Sequence, residues 1–467
     1  MGRMTGRIDG MKDVFDGVVS LIGRTPIVRL NHMGKELAAT FYVKLEYLNP
    51  GSSIKDRIAL QMILDAEEAG DLKPGGTLVE CTSGNTGMGL AMVGAARGYK
   101  AVLVMPDKVS DEKIKALRAF GARVVTTPTA VLPDDPRSYY SVARRIAEET
   151  PGGWLANQYQ NPSNPKTHYL STGPEIWEQM GDKMDAVVIA SGTGGTITGI
   201  GKYLREKNPK IKMVAVDPVG SIYYDYWKTG KITELVKSYK VEGFGEDFLP
   251  GTIDFDYIDE VVQVDDRECF VTARELTRKE CIFTGGSGGG AVCGAMKYAR
   301  LHPEAKNILI IAPDSGSRYL SKVFDDQWMR ENSFLDGGGG LGTIGDLVEN
   351  RDRELVCASP GDSVAAVIKL MKKHAISQVP VLDDGRLLGV IEESTLLKGM
   401  LNDPATVDHP VADMVAHRYT VVQAGRPVSE LTAICARGNV ALVEEAGRIR
   451  AIITNIDLID YLSTRLT

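Results

Sequence analysis

The stretch Ala186-Val187-Val188-Ile189-Ala190-Ser191-Gly192-Thr193-Gly194-Gly195-Thr196-Ile197 decides the fold. Its first five residues are apolar without alternation, the pattern of a strand buried on both faces, and such strands belong to parallel sheets flanked by helices. A glycine-rich turn then enters a helical pattern at Ile197. Glycines let backbone N–H groups close around an anion, and a helix N-terminus favours negative charge, so the loop reads as a phosphate cradle. Gly192-Thr193-Gly194-Gly195-Thr196-Ile197 lacks the last glycine of G-x-G-x-x-G, which speaks against a dinucleotide.

Outward from this unit the same alternation fills the first ~330 residues, the βαβ signature of an α/β fold. Strands are predicted at Thr40–Leu45, Thr77–Glu80, Ala101–Met105, Arg123–Thr126, Lys212–Val216 and Asn307–Ala312, with helical spacing over Asp111–Phe120 and Tyr139–Glu149. The chain has 467 residues, enough for about three domain-sized units. Its fifty glycines exceed the average of ~7% and carry no collagen period, which points to many tight loops. The balance of 54 basic and 61 acidic residues, net −7, offers no basic face for nucleic acid; Arg144-Arg145 and Lys372-Lys373-His374 fall on helical stretches as solvated charge. Six scattered cysteines form no C-x-x-C and no zinc spacing, so neither a metal site nor a disulfide framework is expected. No apolar run is long enough for a membrane span and the N-terminal MGRMTGRIDGMKDVFDG has no apolar leader core, so a cytoplasmic protein is expected.

Composition breaks at Asp336-Gly337-Gly338-Gly339-Gly340-Leu341-Gly342, read as a linker. Beyond it lies an internal repeat: Gly361, Val364, Gly385 and Glu392 align with Gly425, Val428, Gly447 and Thr454, an offset of 62 to 64 residues. Two copies of one α/β unit are implied, each burying a face against the other. The expected domains are 1–335, the linker 336–342, and copies at 343–404 and 405–467.

Three other loops have the same strand-to-helix setting. Asn49-Pro50-Gly51-Ser52-Ser53-Ile54-Lys55-Asp56-Arg57 places Lys55 at a helix start, where the positive dipole end disfavours its charge and eases access to a nucleophilic amine. Cys81-Thr82-Ser83-Gly84-Asn85-Thr86-Gly87 supplies three hydroxyls and an amide at the start of a helix, more polar groups than a cap needs. Gly285-Gly286-Ser287-Gly288-Gly289-Gly290 enters a helix in the same way and also fits a close-packing turn.

In the order of these four loops, the chain to about Met329 resembles the cystathionine β-synthase and cysteine synthase family of pyridoxal-phosphate enzymes. The part after the linker resembles a paired regulatory (Bateman) module of CBS motifs. The resemblance implies the type II fold of these enzymes, two parallel-sheet subdomains, followed by a tandem α/β module. It carries Lys55 over as the lysine that bonds the cofactor, Asn85 as the partner of its phenolic oxygen, Gly192, Thr193, Gly194, Gly195 and Thr196 as the phosphate cradle, and Ser287 as the partner of the pyridine nitrogen. Thr82, Ser83, Thr86 and Gln158 match the positions that hold the substrate carboxylate. A neutral serine at the pyridine nitrogen does not enforce ring protonation, which favours β-elimination and replacement over transamination.

Tyr159 in QYQNPSNPKTHY, VEGFGEDFLP from Val241 and RYLSKVFDDQWM from Arg318 look like the cystathionine branch, whereas Thr172-Gly173-Pro174-Glu175-Ile176 looks like the cysteine synthases. Glu246 stands where some cystathionine synthases have tyrosine. The implied reaction joins L-serine to L-homocysteine, with hydrogen sulfide as a side product. The alternatives are an O-acetylserine-dependent cysteine synthase and, from another class, an adenosine-compound sensor with vestigial catalysis. In such modules a Thr-x-x-Asp holds an adenosine ribose. Here Thr454-Asn455-Ile456-Asp457 has it and the first copy has Glu392 and Thr395 instead, so one site for S-adenosylmethionine or an adenine nucleotide is expected, with a helix cap as the plainer reading. No haem is expected, since no cysteine precedes Cys81. The resemblance implies a homodimer or homotetramer.

Overall fold

The computed structural model describes residues 14–465 apart from 83, 108, 110, 129, 130, 132–134, 233–235, 336–341, 350–354, 437, 438 and 446. The chain divides into two compact units, to Asp325 and from Asp326. The glycine run expected as a linker therefore lies outside the described residues except at Gly342.

Among its described residues the first unit has ten strands: β1 (Ile27–Arg29), β2 (Thr40–Leu45), β3 (Thr77–Cys81), β4 (Lys100–Pro106), β5 (Arg123–Thr127), β6 (Gly153–Leu155), β7 (Ala186–Ala190), β8 (Lys212–Pro218), β9 (Glu260–Val264) and β10 (Asn307–Ala312). They form a four-stranded sheet of order β5-β4-β3-β6 and a six-stranded sheet of order β1-β2-β10-β7-β8-β9. Every pairing is parallel except the hydrogen-bonded β1 and β2. Apolar runs without alternation do bury both faces. Leu78 packs beneath the helix Lys55–Ala69 with Ile58 and Met62, while its neighbours Val79 and Cys81 pack with Val142 and Ala143 of the helix Tyr139–Glu149. The three strands absent from the expected set, β1, β6 and β9, all lie at sheet edges, where half-exposed short strands carry a weak apolar signal.

In both sheets the order reverses, between β3 and β6 and around β10, and in open α/β sheets ligands settle beyond the carboxyl ends of strands at such reversals. Four loops leave those ends: 46–54 after β2, 82–84 after β3, 191–194 after β7 and the segment from Pro313 after β10.

The second unit carries the repeat in its geometry. In the first copy the helix Val364–His374 is followed by β11 (Gln378–Asp383), β12 (Arg386–Glu392) and the helix Glu393–Asn402. In the second, β13 (Tyr419–Gln423) and the helix Ser429–Ala436 precede β14 (Val440–Glu445), β15 (Arg448–Ile453) and the helix Asn455–Arg465. Both hairpins are antiparallel and carry a register shift at matching places, Val381/Leu382 and Val443/Glu444. Val390 of the first copy packs with Val440 and Leu442 of the second, so the copies do bury a face against each other. They also exchange leading segments: Ile344 and Leu347 enter the core of the second copy, and Val411 enters that of the first.

Candidate active site

Lys55 is the first residue of its helix, as its place after a turn-forming loop predicts. Its Nζ donates to Thr193 Oγ1 at 3.4 Å. A cavity beside it is lined by Lys55, Ser191, Gly192, Thr193, Gly194, Thr196, Gly243 and Pro313. The lysine from β2 and the glycine loop from β7, 138 residues apart, thus meet in one place. Burial pushes the Lys55 amine down to about 8, against the opposing charges of Glu246 and then Glu80. Burial thus adds to the helix dipole read from the sequence in bringing the neutral amine within reach.

The cradle is built by close approach. Gly194 has φ +78°, and a Cβ there would stand 2.2 Å from Ile253 Cβ. A Cβ on Gly195, which opens the helix Gly195–Lys207, would stand 2.0 Å from Asn164 Oδ1. Tyr223 OH donates to Gly192 O at 2.5 Å and Thr252 Oγ1 to Thr193 O at 2.6 Å, fixing the loop from outside. Thr196 Oγ1 lies 3.2 Å from Nε2 of the buried His168, whose protonation burial holds well below the usual histidine range.

The expected carboxylate-binding residues gather at the small sheet. Thr86 Oγ1 donates to Gln158 Oε1 at 2.5 Å, joining the loops after β3 and β6. Thr82 is buried, and its Oγ1 accepts from the backbone N–H groups of Gly84 and Gly87, so it shapes the helix start. Ser83 lies outside the described residues. Tyr159 packs edge-on to Phe248 and Tyr140, with ring centroids 5.1 and 6.0 Å away. Asn85, the first residue of the helix Asn85–Arg97, donates to Asp314 Oδ2 at 2.7 Å and accepts from Arg318. Ser287 is the second residue of the helix Gly286–Leu301, and its buried Oγ lies 3.9 Å from where a Cβ on the cavity-lining Gly243 would stand.

Three site residues escaped the sequence reading. Asn164 donates to Gln158 O at 2.8 Å and to Thr193 Oγ1 at 3.1 Å, tying the small-sheet loop to the cradle. Glu80 accepts from Gln158 N at 3.3 Å and is fully buried, which pushes its carboxyl up to about 8. Asp314 receives Asn85 and also the Tyr319 hydroxyl at 2.6 Å. Only Asn164 had a sequence signal, as the second asparagine of the turn-rich NPSNP. The other two acids show as ordinary ends of apolar strands.

Behind Lys55, Arg57 enters a buried cluster of charge. Its Nε donates to Glu46 Oε2 and its Nη2 to Glu175 Oε2, each at 2.7 Å. Lys44, 3.3 Å from Glu175, adds a second cation. Burial opposes the charge on Glu46, yet the Arg57 guanidinium holds its carboxyl below the usual range.

A half-buried amine thus faces a glycine cradle. Residues 18–314 match the model of the pyridoxal-phosphate dependent enzymes, and 344–402 match the CBS domain. The chain belongs to the pyridoxal-phosphate-dependent enzymes. It is 35% identical to a cystathionine β-synthase of Dictyostelium discoideum over 97% of this chain and 93% of that one. Among solved structures, an O-ureido-L-serine synthase covers 70% of this chain and 98% of its own, with TM-score 0.62 and 40% identity. A hydrogen sulfide-producing enzyme of Fusobacterium nucleatum covers 66% and 100%, with TM-score 0.61 and 35% identity.

The cofactor of this family is pyridoxal 5′-phosphate, and the residues present fit it. An amine held near neutrality suits its aldehyde, and a loop too tight for any Cβ at Gly194 and Gly195 suits its phosphate. Among the described residues, no cluster of histidine, cysteine and acid is suited to a metal, and no helix is long and apolar enough to cross a membrane.

In the second unit Asp457 Oδ2 accepts from Thr454 N at 2.8 Å and from Thr454 Oγ1 at 2.7 Å, at the start of the helix Asn455–Arg465. The two residues expected at a ligand site are thus each other's partners and cap that helix.

Proposed function

We propose that this enzyme joins L-serine to L-homocysteine with loss of water, giving L-cystathionine, and releases hydrogen sulfide when a cysteine takes part. The observation that carries this reading is likeness along both units to a cystathionine β-synthase, over 97% of this chain; the other two relatives end after about two thirds of it.

Bound pyridoxal phosphate supplies the sink for negative charge at the substrate's Cα. Lys55 and Ser287 would hold its two ends, Gly192, Thr193, Gly194, Gly195 and Thr196 its phosphate, and Asn85 its phenolic oxygen. Lys55 Nζ, neutral to a useful degree near pH 8, takes the Cα proton and later returns it. Thr82, Ser83, Thr86 and Gln158 orient the α-carboxylate, and the 2.5 Å bond from Thr86 to Gln158 sets two of those groups before substrate arrives. Tyr159, whose carbonyl shares the Thr252 hydroxyl with that of Thr193, completes the substrate side.

The second unit is read as a module for an adenosyl ligand, S-adenosylmethionine or an adenine nucleotide, with Asp457 on the ribose and Thr454 holding Asp457. A homodimer or homotetramer in the cytoplasm completes the proposal, in keeping with six cysteines that form no disulfide among the described residues. The test is mass-spectrometric detection of cystathionine from L-serine and L-homocysteine, with O-acetylserine and sulfide in parallel. Cystathionine from L-serine supports the reading. Cysteine from O-acetylserine alone replaces it with a cysteine synthase. Calorimetry with each adenosyl compound tests the module, and absence of heat with both leaves Thr454 and Asp457 as a helix cap.

A further inference from the structure

Loss of hydroxide from L-serine needs a proton, and Lys55, which must take the Cα proton at the same stage, is a poor source for it. Two acids, Glu246 and Glu80, act on the charge of Lys55. Glu246 follows Gly243-Phe244-Gly245, a turn clamped onto the cradle: Gly245 N donates to Ser191 O at 2.9 Å, and a Cβ on Gly192 would stand 2.8 Å from Gly243 O. Glu246 is itself fixed at both ends of its peptide, its N–H donating to Ser221 Oγ at 3.0 Å and its carbonyl accepting from Ile222 N at 3.1 Å. Its carboxyl and the Tyr159 hydroxyl act on each other electrostatically, Tyr159 packs edge-on to Tyr140 with ring centroids 6.0 Å apart, and Tyr139 donates to Tyr140 OH at 2.5 Å. The carboxyl therefore sits between a chain of phenols and the lysine.

Of the charges acting on Lys55, that of Glu246 is the largest, ahead of Glu80. Glu80 is fully buried under Gln158 and out of a substrate's reach, whereas Glu246 is only half-buried. Burial and the adjacent Asp247 push Glu246 up to about 8, so it carries a proton at neutral pH. The other titratable groups around it are Tyr139, Tyr140, Tyr159, Tyr223 and Tyr239, whose hydroxyls burial keeps protonated at that pH.

We propose that Glu246 is the acid and base for the β-substituent: it gives its proton to the departing hydroxyl of L-serine and takes the proton of the incoming thiol, with Tyr159 as its positioning residue. This rests on the L-serine reading above. The balance closes. As Lys55 takes the Cα proton, the Cβ–O bond breaks with its electron pair on oxygen, which leaves as water with the Glu246 proton. The thiol then forms the Cβ–S bond and its proton restores Glu246, while Lys55 returns its own to Cα.

The test compares donors with L-homocysteine as common acceptor. Acetate leaves from O-acetylserine without a proton, and loss of the thiol base affects both donors alike, so their ratio isolates proton delivery. Glu246→Gln is expected to lower kcat/KM for L-serine on the order of 10²-fold, at least tenfold more than for O-acetylserine. Glu246→Asp, which keeps the acid, restores part of the loss. A second readout needs no turnover: in cofactor-free protein, the pH midpoint for modification of Lys55 by an amine reagent falls in Glu246→Gln, because the carboxylate that forms as pH rises through about 8 and there holds the ammonium is gone. Equal losses with both donors, or none, together with an unmoved midpoint, overturn the proposal and leave the L-serine reading standing. A wild-type enzyme that accepts only O-acetylserine overturns both.

Discussion

The two units bury different things. The first encloses charge: Lys44, Glu46, Asp56, Arg57, Glu80, Asp217 and Asp314 are all buried in it. In the second, the buried polar or charged set among the described residues is Thr406 alone, and its cores are made of residues such as Val379, Ile391, Leu442 and Ile453. Buried charge is costly unless paired, and it persists where a network satisfies it or where chemistry needs a displaced pKa. The Arg57 cluster is the first kind. The buried Glu80, and the half-buried Lys55 and Glu246 near it, all brought to about 8, fit the second.

The contrast breaks if charge in the first unit proves dispensable. The largest effect is expected at Lys55: Lys55→Ala should cost on the order of 10⁴-fold in turnover, since the proposed base and cofactor anchor are lost together, with no change in ligand binding by the second unit. Steady-state rates and calorimetry on the full chain check both halves.

Arg57→Ala comes next, stranding Glu46 and Glu175, with an expected loss of about 3 kcal/mol in denaturant unfolding of the cofactor-loaded protein. The pH dependence sharpens this. Glu46 is held below its ordinary 4.5, so its contribution is present above that value and is lost as pH falls through the lowered one. In Arg57→Ala that acid limb of the stability profile should flatten.

A steric effect follows. Gly195→Ala drives a methyl into Asn164 Oδ1, displacing the side chain that ties Gln158 to Thr193. Weaker cofactor retention, on the order of 10²-fold, should appear in the absorbance of the protein after gel filtration.

The smallest effect belongs to the second unit. Asp457→Ala removes a cap and should cost that unit about 1 kcal/mol, with turnover unchanged in the absence of any adenosyl ligand. A loss of several kcal/mol instead would show that the second unit depends on buried charge after all.

Much of the catalytic fold is legible in short windows. β7 and the apolar strands beside it declare themselves because burial on both faces removes alternation, and the loop at 191–196 because its glycines answer to local backbone geometry. The hairpin glycines Gly385 and Gly447, both at positive φ, mark the repeat for the same reason. The short edge strands β1 and β6 left no comparable trace, because half their surface faces away from the core.

The sequence by itself determined the α/β class, the doubled C-terminal unit and the glycine-rich strand-to-helix loops, all properties of periodicity and of neighbouring residues. Only the tertiary structure decided which of them act together. Asn164 reaches Thr193 across 29 residues, Lys55 reaches it across 138, and Asn85 reaches Asp314 across 229. It also decided the protonation of Lys55, Glu80 and Glu246. Desolvation is set by what the rest of the chain places around a side chain, and no local window records that.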